Sequence, residues 1–223
     1  MNAYGMLAPV YESTMDEALL KHILYIIKPY LKGRVLDLGA GTAALSRAVS
    51  PHVKEVEACD IDETVLTEAR RISAAEGSDI TFFQHDMETP LERKYDVILA
   101  TIDVFNHAKD FDVFTKAFNH AIDALESGGR LIFDFLKCDY IKRFKDFKET
   151  IETDKGPIHW TATLSMTPCT VVHTLKYAGE EKTLTERSYP EKQVRKLFKK
   201  RRDLQAVVRE VFDDRFLYII KKD

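Results

Sequence analysis

Three aspartates set behind strand-like runs hold most of the chemistry in this sequence: Asp37 in RVLDLGAGTAA at 34–44, Asp60 closing EVEACD at 55–60, and Asp86 in QHDME at 84–88. Gly39 and Gly41 follow Asp37 in a strand-to-helix turn, where glycine takes positive φ and lets ligand atoms lie directly against the backbone. Gly39, Gly41 and Ala44 fit the G-x-G-x-x-G/A dinucleotide pattern, but Asp37, two residues before the first glycine, would repel a pyrophosphate and welcome a positively charged group. Asp60 follows Gly39 by about the twenty residues at which a ribose-binding acid is found, and its carboxylate can accept both ribose hydroxyls. Ile61 beside it can cover one face of a purine ring; Asp86 can accept from an exocyclic amine, with Met87 packing alongside. One such acid alone reads equally well as a loop carboxylate or helix cap. Acids ending three neighbouring strands at the carboxyl edge of one sheet describe a nucleoside site for a ligand with a cationic end.

Those acids need a parallel sheet to bring them together, and the hydrophobic pattern supplies one. A helix is expected over 15–31, with Leu19, Leu20, Ile23, Leu24, Ile27 and Leu31 at helical spacing and Pro29 in its last turn; the arm at 2–11 reads as irregular. Short apolar runs at 55–60, 80–84, 95–101 and 130–135 alternate with helical patterns at 42–49, 62–75 and 111–125, the last expected to stop at Gly128-Gly129. Strands alternating with helices in this way predict a doubly wound, mostly parallel sheet. The rhythm then changes: residues 158–188 alternate with period two, marking an antiparallel insert with a turn at Ala178-Gly179-Glu180. Pro190 opens a last helix, and 204–212 with 215–220 form a hairpin that joins the sheet edge. The expected organisation is one domain over 1–223: an arm and helix at 1–33, a ligand-binding core at 34–136, a β-rich insert at 137–189, and a closing helix and hairpin at 190–223.

Composition excludes several classes. With 223 residues, 31% of them charged and a net charge of −3, the chain can bury a substantial core and is not built to neutralise nucleic acid. The KKRR run at 199–202 ends a helix, where cations suit the dipole. Cys59, Cys138 and Cys169 fit no zinc or disulfide pattern, so reduced thiols and no bound metal are expected. No run approaches the ~20 apolar residues that span a bilayer, and the first residues given show no basic stretch followed by an apolar one. A cytoplasmic protein, monomeric or homodimeric and without a membrane partner, is expected.

Through DLGAGTA at 37–43, EACDID at 57–62, HDM at 85–87 and YDVILAT at 95–101, the chain resembles the class I S-adenosylmethionine-dependent methyltransferases. The arm LAPVYESTMDE and the segment TIDVFNHA further resemble small-molecule methyltransferases with a β-rich insert after the fifth strand. The resemblance implies a seven-stranded Rossmann-like sheet with an antiparallel last strand, and S-adenosylmethionine as cofactor. Asp37, Gly39 and Gly41 would hold its methionine end, Asp60 its ribose, and Asp86 with Met87 its adenine; Tyr11, Ile61 and Thr101 complete the expected set. Ala43 departs from the family, many of whose members have a third glycine there.

Methyl transfer is an in-line displacement that needs alignment more than covalent catalysis, and alignment can be worth ~7 to 11 kcal/mol in good cases. The expected activity moves a methyl group to a small-molecule nitrogen, oxygen or carbon. Asp103, Asn106 and His107 follow the fourth strand, over the expected methyl position, and His107 could act as a base, although an Asn-His pair also caps ordinary helices. Tyr140, Trp160, His173 and Arg187 are further candidates for the acceptor wall, with Trp160 better suited to the insert's core and Tyr4 and Tyr11 closing from the other side. The rival readings are an RNA or protein methyltransferase, a nicotinamide-dependent oxidoreductase disfavoured by Asp37, and a cofactor-binding protein that transfers nothing.

Overall fold

The computed structural model describes residues 3–223. The chain begins with α1 (Ala3–Leu7), a 3-10 turn (Tyr11–Thr14) and α2 (Glu17–Ile27). It then alternates through β1 (Arg34–Leu38), α3 (Ala44–Val49), β2 (Glu55–Asp60), α4 (Glu63–Ala75), β3 (Thr81–Gln84) and β4 (Tyr95–Ala100). A 3-10 turn (Val104–His107) leads to α5 (Phe111–Asp123) and β5 (Leu125–Leu136). The insert comprises α6 (Cys138–Ile141), β6 (Phe147–Ile151), β7 (Ile158–Leu164), β8 (Thr170–Tyr177) and β9 (Glu180–Arg187), before α7 (Glu191–Lys199), β10 (Leu204–Val211) and β11 (Arg215–Lys222).

The main sheet has seven strands in the order β10-β11-β5-β4-β1-β2-β3, and the insert is a separate four-stranded sheet, β6-β7-β8-β9. Strands β1 to β5 pair in parallel, while β11 lies antiparallel to β5 and β10 antiparallel to β11. Val35, Leu36, Val97, Ile98, Leu99, Leu131, Ile132 and Phe133 are fully buried, as central strands covered on both faces must be. One core under α5 carries Phe105, Phe114, Phe118 and Phe133; the other, under α2 and α3, carries Ile23, Ile27, Leu45 and Val49. The doubly wound mostly parallel sheet with an antiparallel insert is therefore the fold. Among the described residues no helix is long and apolar enough to cross a membrane.

Four expectations need correction. The arm read as irregular holds α1, because Met6, Leu7 and Val10 bury against Ile158 and Leu175 of the insert. Helix α5 ends before the glycine pair, and Gly128-Gly129 lies inside β5. The register between β4 and β5 shifts between Tyr95 and Val97, and a Cβ at Gly129 would meet the Glu126 carbonyl at 2.8 Å and that of Tyr95 at 3.2 Å. Only glycine lets β5 close against its neighbour there. The insert also starts earlier than the alternating pattern, since β6 pairs with β7. Finally, Cys138 and Cys169 form a disulfide across 31 residues, with Cα atoms 4.9 Å apart, and Cys59 alone is free. The fold, not the spacing, brings these thiols together: α6 leaves the end of β5 beneath the turn that opens β8.

Candidate active site

The carboxyl edge of β1, β2 and β4 and the edge strand β9 of the insert enclose one cavity of about 460 Å³. Gly39, Gly41, Asp60, Ile61, Asp86, Met87, Tyr4, Tyr11, His107 and Arg187 all line it. A smaller recess of about 50 Å³ adjoins it at the glycine turn and is lined by Asp37, Thr42, Thr101 and Tyr11, among others.

The glycine turn is fixed by its neighbour strand. Gly39 and Ala40 donate to the Cys59 carbonyl at 2.8 and 2.9 Å, and Gly41 N–H donates to Asp60 Oδ2 at 3.0 Å. Gly39 at φ +72° and Gly41 at φ +56° both need the left-handed region, and a Cβ at Gly39 would meet Val104 at 2.8 Å. Ala43 also stands left-handed, at φ 65°, fully buried against Ala58 and Ala69, a backbone region that glycine enters without steric cost.

Asp60 Oδ1 accepts from the Asp62 amide at 3.0 Å, so both oxygens are held by backbone and keep lone pairs for a ligand. Burial raises its pKa above the usual carboxylate value. Asp86 accepts from the Glu88 amide at 2.9 Å through one oxygen. Asp37 is buried, accepts the Ser46 hydroxyl at 2.5 Å, and is pushed up to about 6, chiefly by burial against the pull of that hydrogen bond. Among the described residues the buried hydroxyls of Thr42 and Thr101 have no hydrogen-bond partner. An ionisable acid and two such hydroxyls around one recess form a donor set for an amino acid head group.

Arg47 clamps the N-terminal segment over this turn. Its guanidinium donates to the Thr42 carbonyl at 2.6 Å and pairs with Glu12 at 2.5 Å and Glu76 at 2.9 Å. Tyr4 and Tyr11 meet edge to face with centroids 5.7 Å apart, and burial followed by nearby acids raises both phenols, so both remain neutral hydroxyls. Their rings offer faces to a cation.

Beyond the aromatic pair lies a chain of polar groups. The Tyr4 hydroxyl is 2.9 Å from His107 Nε2, and Glu186 of β9 is 4.0 Å from the same nitrogen. Glu186 is also 3.3 Å from His173 Nε2, and Trp160 Nε1–H donates to His173 Nδ1 at 3.0 Å. That donation leaves the His173 proton on Nε2, directed at Glu186. Burial would raise Glu186, but the His173 hydrogen bond and the fields of His107, His173 and Arg215 outweigh it and hold the carboxyl below its usual range.

The remaining acceptor candidates sit elsewhere. Asn106 is fully buried, donating to the Arg187 carbonyl at 2.8 Å and accepting from Leu136 N–H at 3.3 Å. Asp103 pairs with Arg215 at 2.9 Å, and Asp134 takes both the same guanidinium and the amides of Ile102 and Asp103 at 3.0 Å. Burial lifts Asp103 well above the carboxylate range despite Arg215, and Asp134 adds to the lift. Burial opposes the charge on Arg215, but Asp103, Asp134 and Asp214 outweigh it and keep the guanidinium protonated. The cluster braces a strained turn in which Ile102 and Asp103 both have positive φ, aiming Ile102 and Val104 into the cavity. Tyr140 packs on Phe144 away from the cavity wall, and Trp160 and His173 stand behind Glu186. The sequence reading missed Lys109, Thr183 and Thr185 on the cavity wall and Glu186 beside His107; the period-two pattern put three of them on a strand without saying what either face would meet.

Residues 35–129 match the family model described as a methyltransferase domain. Over 135 residues it is 29% identical to YqeM of Bacillus subtilis (strain 168), a presumed methyltransferase; the match takes 59% of this chain and 54% of that one. The chain thus spans about half the length of that curated relative. The fold is shared with an S-adenosylmethionine-dependent methyltransferase from Clostridium acetobutylicum ATCC 824, at TM-score 0.79, 20% identity and 97% and 96% coverage of the two chains. It is also shared with CalS10, an amino pentose methyltransferase of Micromonospora echinaspora solved with S-adenosylmethionine bound, at TM-score 0.74, 15% identity and 96% and 97% coverage.

Proposed function

We propose that this protein transfers a methyl group from S-adenosylmethionine to a nitrogen, oxygen or carbon of a small molecule. The observation that carries the reading is the continuity of one cavity of about 460 Å³ from the acids at the strand ends to β9 of the insert. A volume of that order suits a nucleoside and a small acceptor together, not a polymer.

When bound, S-adenosylmethionine supplies an electrophilic methyl group on a sulfonium. Asp37, with the Thr42 and Thr101 hydroxyls, holds the amino acid head; Asp60 accepts the ribose hydroxyls; Asp86 accepts from the adenine amine, with Ile61 and Met87 on the ring. Tyr4 and Tyr11 close the site against water and present ring faces to positive charge. His107 takes the proton that the acceptor sheds, and Glu186, held ionised and oriented by His173, stabilises the proton there. The same reading needs no metal: the cation between Asp103 and Asp134 is Arg215.

The test is a screen of small metabolites for S-adenosylhomocysteine release, with mass spectrometry of the product. A product one methyl group heavier is expected. Tight NADH binding without binding of S-adenosylhomocysteine would overturn the reading in favour of an oxidoreductase, and a salt-sensitive complex with methylated tRNA would move the acceptor class to RNA.

A further inference from the structure

The cavity changes sign between its two sides. Its carboxylates, Asp60, Asp86 and Glu88, stand at and after the ends of β2 and β3. The insert side contributes Arg187, the last residue of β9, and the loop before α5 contributes Lys109. Packing of Phe111 on Tyr189, with ring centroids 4.9 Å apart, draws these two chain segments together. Asp110, the acid next to Lys109, is committed to the amide of Val113 as the cap of α5. Among the described residues neither Arg187 nor Lys109 has a carboxylate within ion-pair distance.

A half-buried guanidinium without a counter-ion is costly, and its planar fork matches the two oxygens of a carboxylate or phosphate. The backbone that carries Arg187 is also held in place: Asn106 donates to its carbonyl at 2.8 Å, and Ser188 N–H donates to the Cys169 carbonyl at 2.8 Å. Thr183 and Thr185 alternate with it along β9, so the three share one strand face, and both threonines line the cavity. An arginine on a fixed backbone, two hydroxyls and a lysine form a donor set with no acid of its own. Resting on the methyl-transfer reading, we propose that the acceptor carries an anionic group, a carboxylate or a phosphate, which docks on Arg187 with Lys109, Thr183 and Thr185.

The experiment titrates the protein, saturated with S-adenosylhomocysteine, with phenyl phosphate, benzoate and neutral benzyl alcohol by calorimetry. At least one anion is expected to bind about tenfold or more tighter than the alcohol. The tighter of the two identifies phosphate or carboxylate. Arg187→Gln should remove about tenfold of that affinity and Lys109→Gln about threefold, with S-adenosylhomocysteine affinity kept within threefold as the check on folding. Should Arg187→Gln fail that check, Lys109→Gln, at an exposed position, and loss of anion affinity in high salt carry the test. Equal binding of anion and alcohol alongside intact S-adenosylhomocysteine binding would overturn the anionic acceptor and leave the methyl-transfer reading standing. Absence of S-adenosylhomocysteine binding would overturn that reading and this inference with it.

Discussion

The two walls of the cavity are built by different means. On the parallel-sheet side, Asp37, Gly39, Gly41 and Asp60 come from one strand-turn-helix-strand unit, and the contacts that fix them are short in sequence: Gly41 to Asp60 spans 19 residues. On the insert side, Tyr4 meets His107 across 103 residues, Asn106 meets Arg187 across 81, and Arg215 meets Asp103 across 112. The first wall is a local motif presented at strand ends, where backbone geometry dictates residue type. The second is assembled from side chains on strand faces and loops that tertiary packing alone brings together. On the proposed reading the sheet side holds the cofactor and the insert side meets the acceptor.

Substitutions on the two sides should separate accordingly, and the largest effect is expected on the insert side. His107→Gln should lower kcat by ~10² to 10⁴, the usual worth of a positioned general base, while S-adenosylhomocysteine affinity stays within threefold. Full turnover in that variant would remove the base from the acceptor wall and break the division of labour. On the sheet side, Asp60→Ala should cost about 1.5 to 3 kcal/mol of cofactor affinity by calorimetry, because charge-assisted hydrogen bonds to the ribose are lost. Unchanged affinity would show that the nucleoside lies elsewhere.

A change of pH sharpens the comparison further. Burial sets Asp37 at about 6, and the cofactor's ammonium needs it ionised, so protonation competes with binding as pH falls. Affinity for S-adenosylhomocysteine should be flat above about pH 7 and fall up to about tenfold per pH unit below 6, or ~1.4 kcal/mol per unit. The sign is fixed: a raised carboxyl pKa weakens binding on the acid side only. Affinity independent of pH between 5 and 8 would exclude Asp37 as the ammonium partner.

The smallest effect is expected at Ala43. Glycine there would relieve the left-handed backbone, worth ~1 to 2 kcal/mol, but would lose a buried methyl group and add unfolded-state entropy of ~0.5 to 1 kcal/mol each. The opposing contributions nearly cancel, so Ala43→Gly should move stability by less than ~1 kcal/mol in a denaturant titration. A larger gain would mean that the backbone strain outweighs the packing.

The sequence by itself determined the parallel sheet, the glycine turn and the placing of acids at strand ends. Each depends on interactions within a few residues or on hydrophobic periodicity, and both are written in residue order. It also marked the insert as antiparallel, because alternation needs no knowledge of the partner strand. What each face of β9 meets, Thr183 and Thr185 on one and Glu186 on the other, was decided only by the tertiary structure, since alternation does not name the partners. For that reason Glu186, Thr183 and Thr185 left no signal, and Trp160 and His173, chosen for their chemistry, proved to stand behind Glu186. The Cys138–Cys169 bond and the Arg215 cluster were invisible for the same reason. Pairings over such separations are selected by the packing of whole elements, and no local pattern encodes them.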